Sequence, residues 1–112
     1  MRGVITYLLL AGAIASEVAA TVSLRLSDGF SKLVPSLVVL VGYPAAFAFL
    51  AFVLKRGMPV AVAYAIWSAI GVTAVAVIGT LWLDEKLTPL RIAGIGLIVL
   101  GTVALELGGA AD

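Results

Sequence analysis

Four apolar blocks set the pattern of this chain, and its charged residues fall almost wholly in the short connections between them. The blocks run over about 4–24, 33–54, 59–82 and 88–107. Each has the length that a helix rising ~1.5 Å per residue needs to cross a hydrocarbon core of roughly 30 Å. The connections are Arg25 to Lys32, Lys55 to Met58 and Leu83 to Leu87, with turn chemistry at Asp28-Gly29 and Gly57. Pro35, Pro59 and Pro89 fall near the starts of the second, third and fourth blocks, where a missing N–H does little harm. Pro44 falls mid-block and predicts a bend. The pattern predicts an all-α integral membrane protein of four transmembrane helices, forming a single domain over 1–112.

Composition supports lipid as the solvent. The chain is 63% hydrophobic, with a mean hydropathy of +1.25, whereas soluble domains are roughly 45–50% apolar. A soluble domain of this size could not bury so much apolar surface. The first block is too long for a signal peptide, carries an acid and is followed by three more, so it reads as a retained span.

The inventory also narrows the chemistry. There is no Cys and no His, which removes disulfides, thiolate metal sites and the commonest general base. No cofactor fingerprint stands out, and an enzyme is hard to build from what remains. A net charge of +1 gives no nucleic-acid footprint.

One residue breaks the apolar pattern. Glu17 is the only charge between Val4 and Leu24. A carboxyl at that depth is costly and marks a functional site by default. No basic residue lies deep within an apolar block to neutralise it; Arg25, eight residues on, is placed to snorkel to the membrane edge. Low dielectric favours the protonated carboxyl, and a cation in the site favours the ionised one. Proton and cation therefore compete for one group, which is the thermodynamic basis of exchange. The structural alternative is a protonated Glu tucked against a neighbouring helix. On the Glu17 face lie Leu10, Ala13, Ile14, Ala20, Thr21 and Leu24, of which Ala13, Ala20 and Thr21 are small. Small residues there allow close backbone approach or leave a cavity.

The aromatic residues suit an organic cation. Tyr43 is mid-way along the second block, and Tyr64, Trp67, Ser68 and Gly71 share one stripe of the third. Aromatic faces attract cations and cover their hydrocarbon parts, and a Tyr hydroxyl can hold a buried carboxylate. Tyr7 and Trp82, near block ends, read instead as interfacial belt residues. In the fourth block, Gly94 and Gly101 are seven apart on one face, a seam for tight helix pairing in lipid. With one deep carboxylate per chain, the seam predicts a site built by two chains. Glu106 reads as an interfacial acid reaching water.

Short connections force an up-down-up-down order with both termini on one side. That side carries Arg2, Lys55, Arg56 and the α-amine; the other carries Arg25, Lys32, Lys86 and Arg91. With Lys and Arg so balanced, the chain is expected to insert in both orientations.

Three stretches together resemble the small multidrug resistance family, four-helix bacterial proton-coupled exporters of the inner membrane. They are Ala15-Ser-Glu17-Val18-Ala-Ala-Thr21, Leu24 through Ser36 with its Ser27-Asp-Gly29-Phe30 core, and Pro59 through Ser68 with Ala63-Tyr64-Ala65-Ile66-Trp67-Ser68. The resemblance covers nearly the whole chain. It implies an antiparallel, dual-topology homodimer whose two Glu17 carboxylates share one chamber. It also implies exchange of protons for a cationic substrate held by Glu17, Tyr43, Tyr64, Trp67 and Ser68. Ala19, Ala20, Thr21 and Tyr43 look like the branch that exports lipophilic and quaternary ammonium cations. The alternatives are the guanidinium-exporting branch, pairing with a second, different chain, and a non-transporting membrane assembly subunit. Ala61 and Ala69 stand where the family usually has Gly, so the bend expected in the third helix has only Gly71 left to serve it.

Overall fold

The computed structural model describes residues 3–109, all helix and connecting turn: α1 (Val4–Leu26), α2 (Leu33–Lys55), α3 (Val60–Trp82) and α4 (Pro89–Gly109). All four helices are long and apolar enough to cross a membrane. Arg2, the α-amine and Asp112 lie outside the described residues.

The helix ends are set by local hydrogen bonding. α1 continues past Arg25 because Ser27 closes it: its N–H donates to the Ser23 carbonyl at 2.7 Å, and its hydroxyl donates to the Leu24 carbonyl at 2.7 Å. The same hydroxyl accepts the Phe30 N–H at 3.1 Å, and Ser27 is completely buried. Asp28, Gly29 and Phe30 then follow with φ of 48°, 70° and 67°. Gly29 takes this left-handed backbone without penalty and Asp28 tolerates it, while Phe30 pays about 1–2 kcal/mol. α2 ends on Gly57, whose φ of 100° suits the position after a helix C-terminus. Thr88 caps α4, its hydroxyl accepting the Arg91 N–H at 3.2 Å. Between α3 and α4 the Gly79 carbonyl accepts the N–H groups of both Leu83 and Glu85. The Glu85 carboxylate lies over Gly79, where a β-carbon would collide with it.

α2 runs unbroken through Pro44. The missing proline N–H leaves the Leu40 carbonyl without its intrahelical donor. α3 runs unbroken through Ala69 and Gly71, both buried.

α1 pairs with α2 and α3 with α4, giving two compact units that divide after Met58. In the first unit the helices run antiparallel. The Arg56 guanidinium Nε donates to the buried Thr6 hydroxyl at 3.0 Å, tying the end of α2 to the start of α1. The Phe49 ring packs 3.5 Å from where a β-carbon on Gly12 would be, and Gly42 meets Ala20. In the second unit the Thr102 hydroxyl of α4 donates to the Ala65 carbonyl of α3 at 3.1 Å. No residue of the α4 span is buried, and Leu90, Leu97, Leu100 and Leu107 are among its exposed side chains.

Candidate functional site

α1 and α2 bring three of the polar side chains in their apolar spans into single file. Glu17 and Thr21 are four residues apart and therefore on one face of α1. The Thr21 hydroxyl donates to Glu17 Oε1 at 2.8 Å. Thr21 Oγ1 itself lies 2.8 Å from the Tyr43 hydroxyl of α2. Thr21 has one proton and gives it to the carboxylate, so the proton between Thr21 and Tyr43 comes from Tyr43. The file therefore runs Tyr43 OH to Thr21 Oγ1 to Glu17 Oε1, and each donor polarises the next.

A carboxylate accepts a hydrogen bond roughly twice as strongly as a neutral oxygen. The file is thus tighter around ionised Glu17 than around its protonated form. Glu17 and Thr21 are half-buried, as is Tyr43. Around them Leu10, Ala13, Ile14, Val18 and Ala20 of α1 are buried. The carboxylate thus accepts the Thr21 hydroxyl among apolar groups.

Tyr43 reaches Glu17 through Thr21, a link the sequence does not announce. Read from sequence, Thr21 is a small residue beside the acid; in the fold it is the bridge. Gly42 is likewise silent in the sequence, and it lies where α1 and α2 approach most closely among their glycine positions.

On α3, Trp67 and Ser68 are half-buried and Tyr64 is 69% exposed. An apolar groove of about 490 Å³ lies between α3 and α4, lined by residues that include Ile70, Thr73, Val99 and Thr102. Its two threonine hydroxyls donate to helix carbonyls, Thr73 to Ala69 and Thr102 to Ile98 and Ala65. Its lining holds no charged group. On α4, β-carbons added at Gly94 or Gly101 would meet nothing within 4 Å. Neighbouring side chains do not require glycine at either position.

Comparison with known proteins bears on the whole arrangement. The model of the small multidrug resistance protein family matches residues 5–98. The chain belongs to the small multidrug resistance family. Among its relatives, the quaternary ammonium compound-resistance protein QacE of Escherichia coli is 50% identical over 101 residues, covering 90% of this chain and 91% of QacE. The multidrug resistance protein Mmr of Mycobacterium tuberculosis is 46% identical over 104 residues, 93% of this chain and 97% of Mmr. A multidrug transporter of Pseudomonas aeruginosa is 46% identical over 101 residues, with 90% and 91% covered. These relatives are named for transport and resistance rather than for catalysis. Four membrane-length helices and bacterial small multidrug resistance relatives place the chain in the bacterial inner membrane as a multi-pass protein.

Proposed function

We propose that this chain is a proton-coupled antiporter that exports lipophilic and quaternary ammonium cations. The observation that carries the reading is the hydrogen-bonded file ending on Glu17, an acid within a span long and apolar enough to cross a membrane. The name of QacE, half identical to this chain, supports the choice of cation.

The mechanism follows from competition at one carboxylate. The cycle starts with the proton on Glu17. An entering cation stabilises the ionised form, which the Thr21 hydroxyl holds more tightly, and the proton leaves. On the other side of the membrane the proton returns, the carboxylate loses its charge, and the cation loses its partner. Trp67 and Tyr64 supply aromatic faces to the cation and Ser68 a hydroxyl. Two copies in opposite orientations form the transporter, pairing through α4 at Gly94 and Gly101, and exchange of their roles opens the site to alternate faces.

The test is uptake of tetraphenylphosphonium into proteoliposomes under a pH gradient, with guanidinium as the second cation. The wild-type protein should accumulate the aromatic cation in response to the gradient and guanidinium far less. Glu17→Gln keeps the shape and loses the titration, so it should fold and not accumulate either. Gradient-driven uptake by that variant would overturn the exchange mechanism, and a preference for guanidinium would overturn the substrate class.

A further inference from the structure

The hydroxyl file depends on a distance, and that distance is set where the two helices touch. Gly42 immediately precedes Tyr43, and Ala20 immediately precedes Thr21. A β-carbon placed on Gly42 would lie 2.9 Å from the Ala20 β-carbon and 3.0 Å from the Ser16 carbonyl oxygen. Neither atom can yield cheaply, since one is a methyl fixed to the backbone and the other is backbone itself. Ala20 is completely buried, so it has no space into which to retreat. A side chain at 42 therefore moves α2 away from α1 by several tenths of an ångström or more. The Tyr43 to Thr21 bond, at 2.8 Å, leaves the useful hydrogen-bond range with little further displacement.

We infer that Gly42 is a positioning residue for proton–cation exchange: its missing side chain sets the α1–α2 spacing that lets Tyr43 act on Glu17 through Thr21. The inference rests on the exchange reading above and adds to it a residue that touches neither proton nor cation. Tyr43 is the titratable group that α2 presents in mid-span. Lys55 and Arg56 stand at the far end of α2, and Tyr7 and Arg25 near the ends of α1. When the file is broken, the ionised form of Glu17 loses part of its support. The cation then competes less well with the proton, and binding moves to higher pH.

The experiment measures tetraphenylphosphonium binding to the full-length protein in detergent across a range of pH. Its variants are Gly42→Ala, Tyr43→Phe, Thr21→Val, Gly42→Ala with Thr21→Val, and Gly42→Ala with Ala20→Gly, each checked for helicity. Gly42→Ala should weaken binding about threefold to tenfold at a fixed pH near the midpoint, matching Tyr43→Phe in direction. Ala20→Gly removes the nearer colliding atom and should restore part of the loss. In the Thr21→Val background Gly42→Ala should add nothing, because the bond through which it acts is already gone. A wild-type pH profile in folded Gly42→Ala, or an equal added loss in the Thr21→Val background, overturns the inference. If Gly42→Ala alone does not fold, the variant with Ala20→Gly carries the test. Its β-carbon still crowds the Ser16 carbonyl, so a wild-type profile there overturns the inference too. Glu17→Gln separates this from failure of the exchange reading. If that variant keeps the pH dependence, both fall; if it loses the dependence while Gly42→Ala matches wild type, only the role of Gly42 falls.

Discussion

Thr21→Val isolates the hydroxyl file with the least disturbance to packing. Valine has nearly the same shape as threonine, so the half-buried site keeps its volume and loses one oxygen. That oxygen is 2.8 Å from Glu17 Oε1 and 2.8 Å from the Tyr43 hydroxyl. Two hydrogen bonds go, but they weigh differently. The bond to the carboxylate is worth about 1.5–3 kcal/mol when the acid is ionised and about half that when it is protonated. The Tyr43 hydroxyl loses the same partner in both protonation states of Glu17. Only the difference between the two protonation states changes the competition, so the net effect is about 0.75–1.5 kcal/mol. That is roughly a threefold to tenfold loss of cation affinity at a pH where proton and cation compete. At high pH, where the proton no longer competes, the variant still lacks a donor to the carboxylate, but the bound cation compensates and the gap should narrow. The assay is equilibrium binding of tetraphenylphosphonium as a function of pH, with Thr21→Ser as the control that restores the hydroxyl. Equal binding by Thr21→Val and wild type at every pH would refute the role given to Thr21. A Thr21→Ser protein as weak as Thr21→Val would assign the effect to packing instead.

Removing the ring of Trp67 by substitution with Ala should weaken aromatic cation binding by ~1–3 kcal/mol, with less effect on a small aliphatic ammonium; a binding series across the two cation types checks it. Gly94→Leu and Gly101→Leu should leave each chain folded, because nothing within 4 Å opposes a β-carbon there, yet should lower dimer yield in mild detergent. Intact dimers with normal uptake would place the seam elsewhere. Charge edits should bias orientation: Lys55→Gln in one direction, and Lys32→Gln with Lys86→Gln in the other, read by C-terminal reporter fusions. Arg56 is spared because it also holds Thr6, and recovery of uptake on co-expression of the two biased forms would support an antiparallel pair.

The helices were legible because each is a single apolar block of membrane length, and length alone decides the assignment. Their ends were less legible. α1 runs two residues past its apolar block to Leu26, since the Ser27 hydroxyl bonds back to the last turn. Glu17 stood out as a charge where charge is expensive, and Tyr43 as an aromatic too deep for the interface. Their connection did not stand out. It depends on which face of α2 meets α1, and α2 is apolar on every side, so its sequence carries no directional stripe. Gly42 was hidden for the same reason. A glycine in a membrane helix signals close approach to something, and only the paired helices show that the something is Ala20. Arg56 was read as one orientation charge among several, while the fold also gives it the buried Thr6 hydroxyl to hold.

The Ser27 turn has a consequence for how the protein is made. Glu17, Thr21 and Tyr43 all lie in one hairpin closed by that turn, and the Thr21–Tyr43 bond spans only 22 residues of sequence. Synthesis proceeds from the N-terminus, and local contacts form ahead of distant ones. Glu17 can therefore acquire the Thr21 and Tyr43 hydroxyl file while the second hairpin is still being translated. A chain that enters the bilayer with this hairpin closed brings a hydrogen-bond donor to the carboxylate, because the donor arrives with the acid. The buried serine of the first turn thus bears on the order of assembly as well as on the geometry it closes.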